Sequence, residues 1–147
     1  MNHRVRNAAV LAAALCITLV AAARAADNAA PGWDPSTFRD ASTIQIMTTE
    51  PSVGEHWSNL WVAVIDGQAY VRLGDRAYGR VQHNTTSPYV KLKVADKEFD
   101  KVKIEEMPDM KDKVAAAMAD KYFMDILIRH ESHPMVARLT AEAPTSH

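Results

Sequence analysis

The sequence predicts an antiparallel, β-rich α+β domain, and three observations carry that reading. Several short segments alternate apolar and polar residues or run wholly apolar, an Asp66-Gly67 pair stands directly between two of them, and a stretch with apolar residues every fourth position precedes the last. Strands come first, then helix, then a closing strand. A length of 147 residues supports one domain.

The amino terminus stands apart from that domain. Arg4 and Arg6 precede an uncharged run over residues 7–23 rich in Ala, Val, Leu and Ile, and Ala23-Arg24-Ala25 supplies small residues at the −3 and −1 positions of a cleavage site. Residues 1–25 therefore have the form of a secretory signal peptide. The run is shorter than the roughly 20 apolar residues a spanning helix needs, so no membrane span is expected after cleavage, with an uncleaved anchor as the alternative. Leu15 before Cys16 is too bulky for a lipoprotein cleavage site. The Ala-rich leader has a bacterial character, which makes the periplasm the expected location.

Cleavage changes the composition. Arg4, Arg6, Arg24 and the single Cys16 leave with the leader, so 14 cationic residues face 18 acidic ones and no cysteine remains. A net charge near −4 lacks the basic footprint that binding to nucleic-acid phosphates demands, and thiolate chemistry and disulfides are excluded. Stability must come from a packed core.

Residues 26–42 read as a flexible lead-in in which Trp33 and Phe38 are the exceptions, suited to pinning the arm against the domain. Residues 43–48 alternate with period two and form a strand bounded by Pro51 and Gly54. Residues 60–65, Leu-Trp-Val-Ala-Val-Ile, carry no charge on either parity and read as a central strand buried on both faces. Asp66-Gly67 supplies the two positive-φ positions of a type I′ turn into the strand at 69–73. Residues 74–88 hold Gly74, Gly79, Asn84 and Pro88 and read as a loop. Strands at 89–94 and 98–107 follow, and the inward set slips parity between Phe99 and Val102, which places a β-bulge at Asp100-Lys101. Lys91 and Lys93 can pair across strands with Glu98 and Asp100.

Pro108-Asp109 opens a helix with Asp109 as its N-cap, and Met110, Val114, Met118 and Tyr122 form its apolar stripe. A short second helix is predicted over residues 124–129. Residues 135–140 alternate again as the closing strand, and residues 141–144 complete the domain before a tail at 145–147.

Few constellations carry chemistry. His130 and His133 share a helical spacing, but Pro134 ends any helix there and no third ligand is near in sequence, so no metal site is expected. Gly-x-Ser-x-Gly elbows and phosphate-binding Gly-rich loops are lacking. Asn84-Thr85-Thr86 matters as a glycosylation acceptor only in a eukaryotic secretory pathway. What remains is Arg72, Arg76 and Arg80 near Tyr70, Tyr78 and Trp61. Guanidinium groups pair with phosphate or carboxylate and aromatic rings accept a flat conjugated ring, a combination suited to a flavin-type nucleotide or a small anionic molecule. Three solvated arginines on a mobile loop are the alternative.

The order Trp61-Val62-Ala63-Val64, Asp66-Gly67, Ala69-Tyr70-Val71-Arg72, Ala119-Asp120-Lys121-Tyr122 and then residues 135–140 resembles a small uncharacterised bacterial family of the FMN-binding split-barrel superfamily. That superfamily includes pyridoxamine-phosphate-oxidase-like proteins and deazaflavin-dependent nitroreductases, and the resemblance spans residues 43–144. It implies a six-stranded antiparallel Greek-key split barrel with one or two packed helices, a homodimer, and FMN or a deazaflavin in a groove at the dimer interface. It further implies Arg72 near the cofactor phosphate, with Arg76 and Arg80 assisting, and oxidoreductase chemistry performed by the cofactor. The chain carries Leu73 where relatives have a Ser after the Arg, and at best Tyr78 where they have a Trp. A cofactor-free periplasmic interaction or structural module is the rival expectation.

Overall fold

A computed structural model describes residues 29–122 and 132–144. Its strands are β1 (Ile44–Glu50), β2 (Gly54–Leu60), β3 (Val62–Ile65), β4 (Gln68–Leu73), β5 (Tyr89–Val94), β6 (Lys97–Glu106) and β7 (Met135–Ala141), with helices α1 (Asp75–Gln82) and α2 (Lys111–Lys121). The strands form one antiparallel sheet in the order β2-β1-β5-β6-β7-β4-β3. Its two edge strands, β2 and β3, are consecutive in the chain with only Trp61 between them. A single residue cannot cross a flat seven-stranded sheet, so the sheet curls into a half-barrel that brings its edges together.

Seven strands correct the expected six. The additional strand, β2, reads Gly-Glu-His-Trp-Ser-Asn-Leu and pairs with β1 from Glu50↔Gly54 to Ile44↔Leu60. The apolar run at 60–65 is correspondingly broken at Trp61, and β3 lies at the edge of the sheet rather than at its centre. Its faces are still covered, because Val62 points into the barrel core and Ala63 lies under α2.

Alternation fills the barrel. Ile44, Ile46, Val62, Val71, Leu73, Leu92, Val102 and Leu139 are each at most 1 % exposed and belong to one apolar cluster. Each such side chain contributes about 1.5–3 kcal/mol by leaving water. Asp66 (φ 49°) and Gly67 (φ 73°) make the β3–β4 turn, as the Asp-Gly pair requires. Val90 pairs with Val102 but Leu92 with Phe99, so β6 carries one extra residue at Asp100-Lys101. That bulge returns both Phe99 and Val102 to the core. Outside, Lys91 and Lys93 pair with Asp100 and Glu98 at 3.7 and 3.6 Å.

The arm ahead of β1 is tied down over its described part. Ala29 bridges to Glu142, and a 3₁₀ turn at Pro35–Arg39 is capped by Asp34 accepting from the Ser36 amide. Trp33 stands edge-on to Phe38 and to Phe99, both at 5.1 Å between ring centres.

Two helical expectations change. The segment read as a loop at 74–88 contains α1, whose Ala77, Tyr78 and Val81 pack on the barrel core. Asp109 lies inside a 3₁₀ turn (Pro108–Met110) that precedes α2, and neither element has a side-chain cap. Val114 and Met118 of α2 are fully buried against Ala63, Tyr70 and Val136, forming a second cluster on the outer face of β3, β4 and β7. Residues 124–129, the signal segment and the tail lie outside the described residues.

Candidate functional site

The groove beside α1 is assembled by three local constraints. Pairing of Arg72 with Val136 and of Leu73 with Met135 fixes the end of β4 against the start of β7. Continuing that register sends Pro134, His133 and Ser132 past the end of β4, beside Gly74. A Cβ at Gly74 would stand 3.7 Å from the Ser132 carbonyl oxygen. Gly74 also begins α1, placing Asp75 and Arg76 in its first turn, where backbone N–H groups lack helical partners.

The break between β2 and β3 lines the same groove. Trp61 is stacked on Tyr122, with 4.4 Å between ring centres and 5° between planes. Tyr122 follows the last turn of α2 and locks this joint: its hydroxyl accepts from the Val62 amide at 3.1 Å and donates to the Val62 carbonyl at 3.0 Å. Lys121 donates to the same carbonyl at 2.9 Å and to the Phe38 carbonyl at 3.1 Å. Burial pushes the Lys121 ammonium below its ordinary range, opposed by Asp40, and burial raises the Tyr122 phenol against the hydrogen bond with Val62. The α2 terminus thus sets the position of Trp61.

Together these elements enclose an open groove of about 800 Å³ lined by Asn59, Leu60, Trp61, Arg72, Gly74–Ala77, Ser132 and His133. Two guanidinium groups, Arg72 and Arg76, and one carboxylate, Asp75, line it. The lining combines groups able to recognise an oxyanion with an aromatic surface.

The structure brings together Arg72, Arg76 and Trp61 and sends the other three expected residues elsewhere. Arg80, one helical turn beyond Arg76, reaches Glu50 of β1 at 3.5 Å. Tyr78 packs on the barrel core, and Tyr70 is 5 % exposed beneath Val114 and Met118. His133 is the residue that sequence reasoning weighed only as a metal ligand and did not place in the groove. Its signal was the register of the closing strand, which starts two residues later. Among the described residues no cluster of three His, Cys, Asp or Glu side chains forms a metal centre, and no helix is long and apolar enough to cross a membrane.

No family model and no curated protein matches the sequence. Solved structures do match the fold. HutZ, the heme storage protein from Vibrio cholerae, aligns with a TM-score of 0.53 at 17 % identity over 73 % of this chain and 87 % of its own. A domain-swapped dimer aligns with a TM-score of 0.51 at 12 % identity, over 67 % and 79 %. The F420-H2 dependent reductase FDR-A reaches 0.49 at 14 % identity, over 69 % and 94 %. The likeness to HutZ and to the domain-swapped dimer shows a shared split-barrel fold.

Proposed function

We propose that the protein is an exported split-barrel protein that binds a flavin, FMN or a deazaflavin, and serves as an oxidoreductase. One observation carries this reading: Arg72, Arg76 and Trp61, the last stacked on Tyr122, line one groove of about 800 Å³. That volume lies within the 300–1,000 Å³ typical of small-molecule and cofactor sites. The donor set fits the ligand. Arg72, Arg76 and the amides opening α1 suit the phosphate, and Trp61, backed by Tyr122, suits the ring system. When bound, the flavin supplies hydride and electron transfer. The protein's part is to hold the anion, orient the ring and restrict water. A second copy of the chain covering the open side of the groove belongs to the same reading. Export rests on the form of residues 1–25.

A second reading has one specific observation in its favour. His133 places an imidazole on the groove wall, a group able to ligate haem iron, and HutZ is a heme storage protein of the same fold. Visible absorption of purified mature protein, alone and with FMN, reduced deazaflavin or haem, separates the readings. The flavin reading expects a perturbed flavin band saturating at micromolar concentration and weakened in Arg72→Ala. A Soret shift abolished by His133→Ala, without flavin binding, assigns haem instead. Absence of all three leaves the cofactor-free module and overturns the proposal.

A further inference from the structure

Trp61 gives the groove its indole wall from a one-residue link outside the strand pairings, since β2 ends at Leu60 and β3 begins at Val62. Its neighbours therefore set its orientation. Val62 opens an edge strand, and the backbone groups that such a strand leaves unpaired are here taken by side chains. The Val62 amide bonds the Tyr122 hydroxyl, and the Val62 carbonyl fills both its lone pairs, from Tyr122 at 3.0 Å and from the Lys121 ammonium at 2.9 Å.

Lys121 reaches further than that carbonyl. The same ammonium donates to the Phe38 carbonyl at 3.1 Å, within the 3₁₀ turn Pro35–Arg39 that lies against β3 and β4. It also stands 5.1 Å from the ring centre of Tyr122, the ring stacked on Trp61. Asp40, two residues past Phe38 on the same arm, favours the charged form. Placing an ammonium in a half-buried position is costly unless it is hydrogen-bonded, and here two convergent carbonyls supply the bonds.

We propose that Lys121 is a positioning residue for the groove: one ammonium, holding the Phe38 and Val62 carbonyls together, fixes β3 against the amino-terminal arm and so sets the plane of Trp61 toward the ligand. Lys121 does not itself line the groove. Its effect on ligand affinity rests on the flavin reading given above, whereas its effect on Trp61 does not. The position demands a charged donor rather than bulk. Hydrogen bonds from a charged donor are about twice as strong as neutral ones, and methionine copies the length of lysine while donating nothing. Arginine keeps the charge and has donors for both carbonyls.

The test is a double-mutant cycle on the full protein with two readouts. Quenching of FMN fluorescence gives the affinity, and fluorine NMR of protein labelled with fluorotryptophan reports on the three tryptophans, with Trp61→Phe identifying the resonance of Trp61. Lys121→Met should weaken FMN binding about fivefold, and Lys121→Arg should restore it to within about twofold of the parent. In a Trp61→Ala background the same Lys121→Met change should alter the affinity less than about twofold, because its route to the ligand is gone. The Trp61 resonance should shift or broaden in Lys121→Met while that of Trp57, covered by Lys93 on β2, stays in place. If Lys121→Met does not fold, Lys121→Gln, which keeps one neutral donor group, takes its place in the same cycle with an expected loss of about threefold. An equal loss of affinity with and without Trp61 makes Lys121 a purely structural residue and overturns the proposal, as does an unmoved Trp61 resonance. If that resonance moves as expected and FMN does not bind the parent, the positioning stands and the flavin reading falls.

Discussion

Arg76 and Arg80 are one turn apart on α1, yet the structure assigns them different work, and substituting each in turn separates recognition from stability. Arg76 lines the groove, and Arg80 reaches Glu50 of β1 at 3.5 Å. A guanidinium hydrogen-bonded to a phosphate contributes about 1.5–3 kcal/mol, and an exposed residue such as Arg76 belongs at the lower end. Arg76→Gln should then weaken FMN binding about tenfold, since each 1.4 kcal/mol is a factor of ten. Gln is a good helix former, so the melting temperature should stay within about 1 °C of the parent. For Arg80→Gln the Glu50 carboxylate, only 16 % exposed in its side chain, loses its cation. That costs about 1 kcal/mol of stability, or roughly 3–5 °C in a domain of this size. FMN affinity should change by less than about twofold. Quenching of FMN fluorescence gives the affinities and thermal denaturation the stabilities. Equal losses of affinity in the two variants, or none in Arg76→Gln, would refute the division.

Three further outcomes follow from the same geometry. Tyr122→Phe removes the hydroxyl that bonds both polar groups of Val62, and it should cost about 1–3 kcal/mol in denaturant unfolding and loosen Trp61, seen as a red shift of tryptophan emission. Met118→Ala empties a fully buried position under α2 and should cost about 2–5 kcal/mol, with unfolding still cooperative. Glu105 is held below its ordinary value near 4.5 first by the hydrogen bond from Arg138 at 2.6 Å, so its contribution is present above that value and is lost as pH falls through the lowered one. The pair is partly solvated, with Glu105 42 % exposed, so Glu105→Gln should cost only about 0.5 kcal/mol at neutral pH and progressively less as the pH falls through the lowered value.

How far the sequence reached is clearest residue by residue. The β3–β4 hairpin was legible because Asp66-Gly67 is a backbone requirement written in residue types, and the β6 bulge because a parity slip has only one geometric remedy. Strand β2 was hidden because its larger apolar residues, Trp57 and Leu60, lie on opposite parities and its remaining residues are polar or small. It is an edge strand stabilised by its ladder to β1 and by the curl of the sheet, neither of which is a local signal. Helix α1 was masked by Gly74 and Gly79, although Ala77, Tyr78 and Val81 recur at the spacing of one buried helical face. That missed helix is also why three arginines could not be sorted: as a loop they are equivalent, and as a helix Arg76 and Arg80 meet different neighbours. Tyr70 shows the remaining difficulty. Its strand parity is plain, but which face of the curled sheet α2 would cover is decided by tertiary packing.

The groove between Trp61, Arg72 and the start of α1 is the proposed ligand site. Backbone amide NMR of the protein during titration with FMN tests both binding and place. Saturable shifts should concentrate at residues 59–61, 72–77 and 132–133, with residues around the Arg80–Glu50 pair and the small cavity at Gln82, Asn84 and Ser87 undisturbed. Shifts centred on that cavity or on the outer faces of β1 and β2, or no saturable shift at millimolar FMN, would rule this groove out as the site.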